Sequence, residues 1–268
     1  MSIVTISRGS FSRGKEVAER LAEKLNFDCI SRDILLEASE TFNIPEIKLI
    51  RAIHDAPSIL DRFTYGKERY IAYIRAAMLK HMQKDNIVYH GLAGHFFLQD
   101  ISHVLKVRIV ADLQDRIREE MKREKISQAE AEKVIKKDDD ERRKWSLFLY
   151  GKDTWDPSLY DMILHIRTIS TDEAVEIILC ASQMPSFQTN PQSQRNMDNL
   201  ALAAQVMAAI VEEFPRAEVT ASDGDVFVEV KVPLESQKHV KDRVGAIIEN
   251  IPEVKNVSVS LYPMIIED

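Results

Sequence analysis

The sequence predicts a parallel, three-layer α/β domain followed by a small α+β domain of order αββαβ. Three observations carry that prediction. Runs of aliphatic, often β-branched residues alternate with amphipathic helical patterns over residues 1–182, as in a sheet covered on both faces by helices. A Gly-x-x-x-x-Gly-Lys loop, Gly9 to Lys15, separates the first strand from the first helix. After a polar, proline-containing stretch at 183–196, Val226, Val228, Val230 and Val232 alternate strictly, as on a half-buried hairpin.

At 268 residues the chain is long enough for two domains. It carries 36 basic and 43 acidic residues, a net charge of −7, so no overall field draws it to nucleic acid or an anionic membrane. No nucleic-acid partner is expected, and any anion site must be local. No apolar run reaches the about eighteen residues of a transmembrane segment. Met1 leads directly into a strand rather than a signal sequence, and the expected location is cytoplasmic. Cys29 and Cys180 fit no metal or redox spacing and read as reduced, structural thiols.

The first strand is Ile3, Val4, Thr5 and Ile6, and the first helix shows Val17, Leu21 and Leu25 at helical spacing. Between them the glycines let the backbone turn tightly, so that successive N–H groups converge on an anion at the helix N-terminus. Lys15 then reaches the terminal phosphates. The expected nucleotide contacts are Gly9, Ser10, Ser12, Arg13, Gly14, Lys15 and Glu16. The usual residue after the lysine is Ser or Thr, whose hydroxyl ligates Mg²⁺. Here it is Glu16, whose carboxylate either binds the metal differently or repels the nucleotide. A plain strand-to-helix turn would account for the same residues.

Phe27 to Ile30 reads as a short second strand. Ser31-Arg-Asp33 then either caps the next helix or supplies Arg32 and Asp33 as substrate contacts at the strand's carboxyl end. Residues 34–84 are mostly helical, broken at Asn43-Ile-Pro45 and Asp55-Ala-Pro57, and long enough to cover a small substrate. In the last of these helices Arg69, Arg75 and Lys80 surround an apolar side of Tyr70, Ile74 and Met78, and most of its cations suit a solvated face.

Asn86 to Gly94 reads as a central strand entering a glycine turn beside the loop. His90 and His95 lack metal spacing and suit packed positions. His103 to Ala111 is the next strand, followed by a helix with Asp115, Arg116, Arg118 and Arg123. Ser127-Gln-Ala-Glu130 is a capping box. The helix it opens leads into a run of charge from Lys136 to Lys144. Such a run suits an exposed helix laced with ion pairs, or, in a phosphoryl-transfer enzyme, cations that close over the migrating group. Ile163 to Ile166 is the last strand of this domain and Thr171 to Ala181 its last helix.

The strand and glycine loop, Ser31-Arg-Asp33, the Val88-to-Gly94 turn, Asp115-Arg116, Lys136-Lys-Asp-x-x-x-Arg-Arg143, Tyr150-Gly-Lys-x-x-x-Asp-Pro157 and Tyr160-Asp161 together resemble the cytidylate-kinase-like family over residues 1–182. The resemblance implies a P-loop kinase-like sheet with a helical lid that carries arginines over ATP, with Mg²⁺ bridging the phosphates. On it Lys15, Arg142 and Arg143 are the catalytic candidates, Gly9, Gly14 and Arg116 belong to the nucleotide site, and the acceptor is a nucleotide. Asp156 and Asp161 match positions near the lid and the last strand. The chain departs from the family pattern at Glu16, and at Gly91-Leu92, where the family has Gly-Arg.

Beyond 183–196, read as a linker, the expected helix carries Leu200, Ala204, Met207 and Ile210. A hairpin around Ser222-Asp-Gly-Asp225, a helix with Val240, Val244 and Ile248, and a strand from Asn256 complete residues 197–268. This order, with Ile251-Pro-Glu-Val-Lys-Asn-Val257, resembles a BON domain and implies a binding role. Glu212, Glu213, Glu218, Asp223 and Asp225 weigh against an anionic lipid surface, leaving protein contact, self-association or small-ligand sensing. The sequence thus predicts an ATP-dependent phosphotransferase. The alternatives are an inactive nucleotide sensor or a scaffold acting through the last domain.

Overall fold

The computed structural model describes residues 2–9, 12–31, 66–91, 94–232 and 237–263. Ser10, Arg32, Asp33, Leu92 and the breaks expected at 43–45 and 55–57 lie outside them. The described residues form two compact units, one from 2–31 and 84–193, the other from 66–83 and 194–263.

In the first unit five parallel strands, β1 (Ile3–Arg8), β2 (Asp28–Ile30), β3 (Ile87–His90), β4 (Val104–Ala111) and β5 (Met162–Ile166), stand in the order β2-β3-β1-β4-β5. Because β1 is central and every pairing is parallel, the segments leaving β1, β3 and β4 all emerge at one edge, where such sheets bind ligands. The period of two sorts the residues of β1 and β4 by face. Val4, Ile6, Leu105, Val107 and Ile109 bury against α1 (Gly14–Leu25) and α5 (Thr171–Ser182), through Val17, Leu21, Val175 and Ile178. Each such side chain contributes about 1.5–3 kcal/mol. On the other face the apolar pair Ile3 and Val104 is followed by polar pairs in register, Thr5 with Lys106 and Ser7 with Arg108.

Two helices follow β4, α3 (Leu113–Glu124) and α4 (Gln128–Tyr150). They form a hairpin closed by Ile117, Ala131 and Ile135, with Leu113, Met121 and Ile126 packed around them. This hairpin is the expected helical lid. The Ser127–Glu130 capping box starts α4 and Gly151, left-handed at φ 63°, ends it, so the charged run lies inside one unbroken helix. Its far end is anchored by aromatic packing. Tyr150 lies 5.2 Å from Phe96, 5.4 Å from Phe97 and 5.6 Å from Trp145, ring centre to ring centre.

The second unit holds a three-stranded sheet in the order β6-β7-β8, from β6 (Glu218–Ser222), β7 (Asp225–Val232) and β8 (Asn256–Pro263). The hairpin turn uses positive φ at Asp223 and Gly224, as a tight two-residue connection requires. β8 lies parallel to β7, so the helix between them, α7 (Gln237–Ile248), is a crossover. The core is Val206, Ile210, Val226, Val228, Val230, Val244 and Ile248, and the small α+β domain has the expected element order.

Helix α6 (Pro191–Ile210) begins nine residues before Leu200, where the apolar period first shows. The cause is local chemistry. Asn190 Oδ1 accepts the N–H groups of Gln192 and Ser193 at 3.0 and 2.9 Å, with Pro191 in the first helical position. Helix α2 (Gly66–Met82) belongs to this second unit. Its Tyr73 hydroxyl donates to Glu212 at 2.6 Å and its Arg69 pairs with the same carboxylate at 3.1 Å. Of its cations Lys80 is exposed, as expected of most of them, whereas Arg75 is withdrawn far enough that burial lowers its pKa. No helix among the described residues is long and apolar enough to cross a membrane.

Candidate phosphate-binding site

Strand β1 ends at Arg8 and α1 begins at Gly14, and their backbones meet closely. A Cβ added at Gly14 would stand 2.6 Å from the Cβ of Arg8, so only glycine fits there. Arg13, the residue before the helix, adopts φ 63° and ψ 8°, a left-handed conformation that costs a non-glycine residue roughly 1–2 kcal/mol. Its side chain pairs with Glu119 of α3 at 3.2 Å. The Arg13 side chain does not cap the first turn of α1, whose leading N–H groups, with the positive end of the helix dipole, face the loop.

Gly9 is different. The atoms nearest to a Cβ there would be those of the Arg116 guanidinium, at 3.8–3.9 Å, an ordinary contact. Arg116, in the first half of α3, is almost buried and its Nη2 donates to both carboxylate oxygens of Asp139 on α4, at 2.7 and 2.8 Å. Ser12 is fully buried, and its hydroxyl lies 3.0 Å from the carbonyl of Gly9 and 3.2 Å from that of Ile109. It braces the loop on β4, which leaves only its backbone to face an anion.

Lys15 and Glu16 stand on the exposed side of α1. Lys15 pairs with Glu19 at 3.5 Å and Glu16 with Arg20 at 2.7 Å. Arg20 also bonds Asp172 of α5. The Glu16 carboxylate is thereby engaged along its own helix, by a guanidinium that it shares with Asp172.

The structure separates the two lid arginines expected from the sequence. Arg143 donates through Nε to both oxygens of Asp153, at 3.1 and 3.0 Å, and lies 4.7 Å from the centre of the Trp155 ring. Asp153 is held below the usual carboxylate range, first by the bond from Arg143 and then by the Trp155 N–H. Arg142 is half-buried on the same helix.

Tyr160 forms a second polar centre. Its hydroxyl donates to the Thr154 carbonyl at 2.9 Å, accepts from Arg108 at 3.1 Å and lies 3.3 Å from Ser7 Oγ. His95 is buried 4.9 Å from the Tyr160 ring, and its pKa is pushed down to about 3 by burial, then by Arg108 and Lys106. It is therefore neutral at ordinary pH. Asp156 caps the turn at Pro157–Leu159 through the Ser158 N–H. Asp161 accepts from the Lys106 N–H at 2.8 Å and pairs with its Nζ at 3.2 Å. Among the described residues no three His, Cys, Asp or Glu side chains gather as a metal site.

The structure thus brings Gly9, Ser12, Arg13, Gly14 and Arg116 to one loop, leaves Lys15 and Glu16 on the adjoining helix surface, and ties Arg143 elsewhere. Sequence reasoning missed Glu119, Asp139 and Asp153. Asp139 alone had a readable signal, lying four residues beyond Ile135 on the inward stripe of α4.

A glycine-bounded loop between β1 and α1 of a β2-β3-β1-β4-β5 parallel sheet defines a P-loop kinase-like α/β protein. Residues 3–168 match the cytidylate kinase-like family, and the chain belongs to it. An uncharacterized protein from Eubacterium ventriosum shares the fold, with 22% identity and a TM-score of 0.52 over 68% of this chain and 98% of its own. Shikimate kinase from Bacteroides thetaiotaomicron aligns at 11% identity and a TM-score of 0.42, covering 68% of this chain and 99% of that one. Shikimate kinase from Acinetobacter baumannii, in complex with shikimate, aligns at 12% and 0.39, covering 68% and 92%. A comparison with curated proteins finds no match.

Proposed function

We propose that this kinase-like protein is an ATP-dependent phosphotransferase whose acceptor is a nucleoside monophosphate. The observation that carries the reading is the cradle itself, in which Gly14 presses on Arg8, Arg13 is held left-handed, and Arg116 lies face-on to Gly9. Such a loop suits a phosphate chain, since amides and a guanidinium supply the positioning and charge neutralisation on which phosphoryl transfer depends.

In this reading the loop amides and Lys15 hold the terminal phosphates, Arg116 neutralises them, and Arg142 is a lid cation. Arg143 reaches a phosphate only by leaving Asp153 and Trp155. Arg32 and Asp33 are the proposed acceptor contacts. ATP supplies the phosphoryl group, and Mg²⁺ rides on its phosphates. Of the described residues there, neither Ser12 nor Glu16 is offered to that ion, because the Ser12 hydroxyl turns inward and Glu16 is engaged by Arg20. The pairing of Glu16 supports nucleotide binding, since it lessens the repulsion a bare carboxylate would impose.

The test is ADP formation from Mg-ATP against a panel of nucleoside monophosphates, beside a nucleotide-binding titration and the Lys15→Ala variant. Turnover with one acceptor, lost in the variant, is the expected result. Nucleotide binding untouched by Lys15→Ala would refute the site assignment. One observation favours a second reading, a nucleotide sensor without turnover, because the Arg143–Asp153 pair keeps a lid arginine engaged by a carboxylate of the chain itself. Binding with no turnover against any acceptor would select it. Residues 197–268 are proposed as a BON-like module appended after a linker to a kinase-like domain spanning 1–182. It would make protein contacts or self-associate in a cytoplasmic protein.

A further inference from the structure

Three acidic residues stand in a row on α4, Asp138, Asp139 and Asp140, and their side chains have different surroundings. Ala131 and Ile135 are fully buried on the face of α4 that packs on α3, and Asp139, four residues further, continues that stripe. A carboxylate thus takes the place of the next apolar contact. Its partner is Arg116 of α3, whose Nη2 bonds both of its oxygens. The pair is largely withdrawn from water, the two side chains being 11% and 21% exposed. Nearly buried charge of this kind is costly without its partner, so the bond fixes Arg116 strongly.

The guanidinium held in this way lies against the phosphate loop. Measured from the position of a Cβ on Gly9, its Cζ, Nη2 and Nη1 are at 3.8, 3.8 and 3.9 Å. Near-equal distances to three atoms of a planar group mean that Gly9 faces the plane rather than an edge. Arginine is a long side chain with much rotamer freedom, and restraining it before an anion arrives removes that entropy loss from binding.

We propose that Asp139 is a positioning residue, holding Arg116 over Gly9 for the phosphates of the nucleotide and making the register of the lid helix part of the anion site. The inference rests on the phosphate-loop reading given above. Through it α4 senses the loop and the loop senses α4, even though Asp139 itself touches no phosphate.

The experiment is an ATP-binding titration of the full chain as wild type, Asp139→Ala, Asp139→Glu, Asp139→Asn, Arg116→Ala, Lys15→Ala and the Arg116→Ala/Asp139→Ala double variant, each checked for folding by circular dichroism. Asp139→Ala is expected to weaken binding about tenfold. Asp139→Glu should recover most of the loss, and Asp139→Asn, which keeps shape and one acceptor, should fall between. In the Arg116→Ala background, Asp139→Ala should add less than about a twofold further loss, because the residue it positions is gone. Wild-type affinity in Asp139→Ala, or losses that multiply in the double variant, would overturn the proposal while Lys15→Ala still weakens binding. Unchanged affinity in both Lys15→Ala and Arg116→Ala would remove the phosphate-loop reading itself, and the proposal with it. Should Asp139→Ala fail to fold, the Asp139→Asn and Asp139→Glu ranking decides the matter, and equal affinities in those two and the wild type would refute it.

Discussion

Lowering the pH should destabilise this protein through one histidine. His95 is 2% exposed, packed against Phe96 and Tyr160, and its pKa of about 3 stands well below its ordinary 6.5. The folded chain therefore leaves the imidazole neutral over a range in which the unfolded chain protonates it. When the unfolded state binds the extra proton, stability falls with pH, by about 1.4 kcal/mol per unit. The contribution is fully present above pH 6.5 and declines from there toward pH 3. Between pH 6.5 and pH 5 the loss is about 2 kcal/mol. Urea unfolding of the wild type and His95→Gln, followed by far-ultraviolet circular dichroism at pH 7, 6 and 5, isolates it, since other titrating groups cancel in the difference. The gap between the two proteins should change by about 2 kcal/mol over that range, and the His95 ring proton should show no titration down to pH 4 in an NMR series. Parallel stability curves, or a ring that titrates near 6.5, would refute the burial argument.

Gly14→Ala forces the main chain of the loop away from Arg8, and should lose about 1–3 kcal/mol of stability together with ATP affinity. Wild-type melting and binding would show that the cradle is loose. Ser170 opens α5 with a capping box to Glu173, as Ser127 opens α4, and removing either hydroxyl, in Ser127→Ala or Ser170→Ala, should cost about 1 kcal/mol, with faster hydrogen exchange confined to the start of α4 or α5 respectively. In the small sheet, Ile248→Ala should cost about 2–5 kcal/mol, whereas Phe227→Ser, at an exposed outer-face position, should stay within about 0.5 kcal/mol. Equal effects at the two positions would mean that the outer face is covered.

Much of the architecture follows from local rules. The β-branched run at Ile3 to Ile6, the aliphatic strands at Ile87 and Val104 and the amphipathic period of Val17 and Leu21 specify buried strands and a packed helix whatever surrounds them. The capping box at Ser127 and the Asp223-Gly224 turn are legible for the same reason, because their hydrogen bonds close within a few residues. The start of α6 was legible too, in Asn190 and Pro191, yet apolar periodicity overlooks it because capping chemistry carries no hydrophobic signal.

The candidate site divides along the same line. Glycine at 14 and lysine at 15 can be read from spacing, since strand, loop and helix are contiguous. The partners of the charged residues cannot. Asp138, Asp139 and Asp140 are chemically identical and adjacent, and only the packing of α4 on α3 brings Asp139 to Arg116. Likewise Arg142 and Arg143 look interchangeable in sequence, and only the chain's return after Gly151 gives Arg143 to Asp153. A charged side chain has no preferred partner until the fold lowers the local dielectric and removes all but one counter-charge from reach. Sequence alone therefore determined the sheet, its helices and the loop, while tertiary packing assigned each arginine its carboxylate.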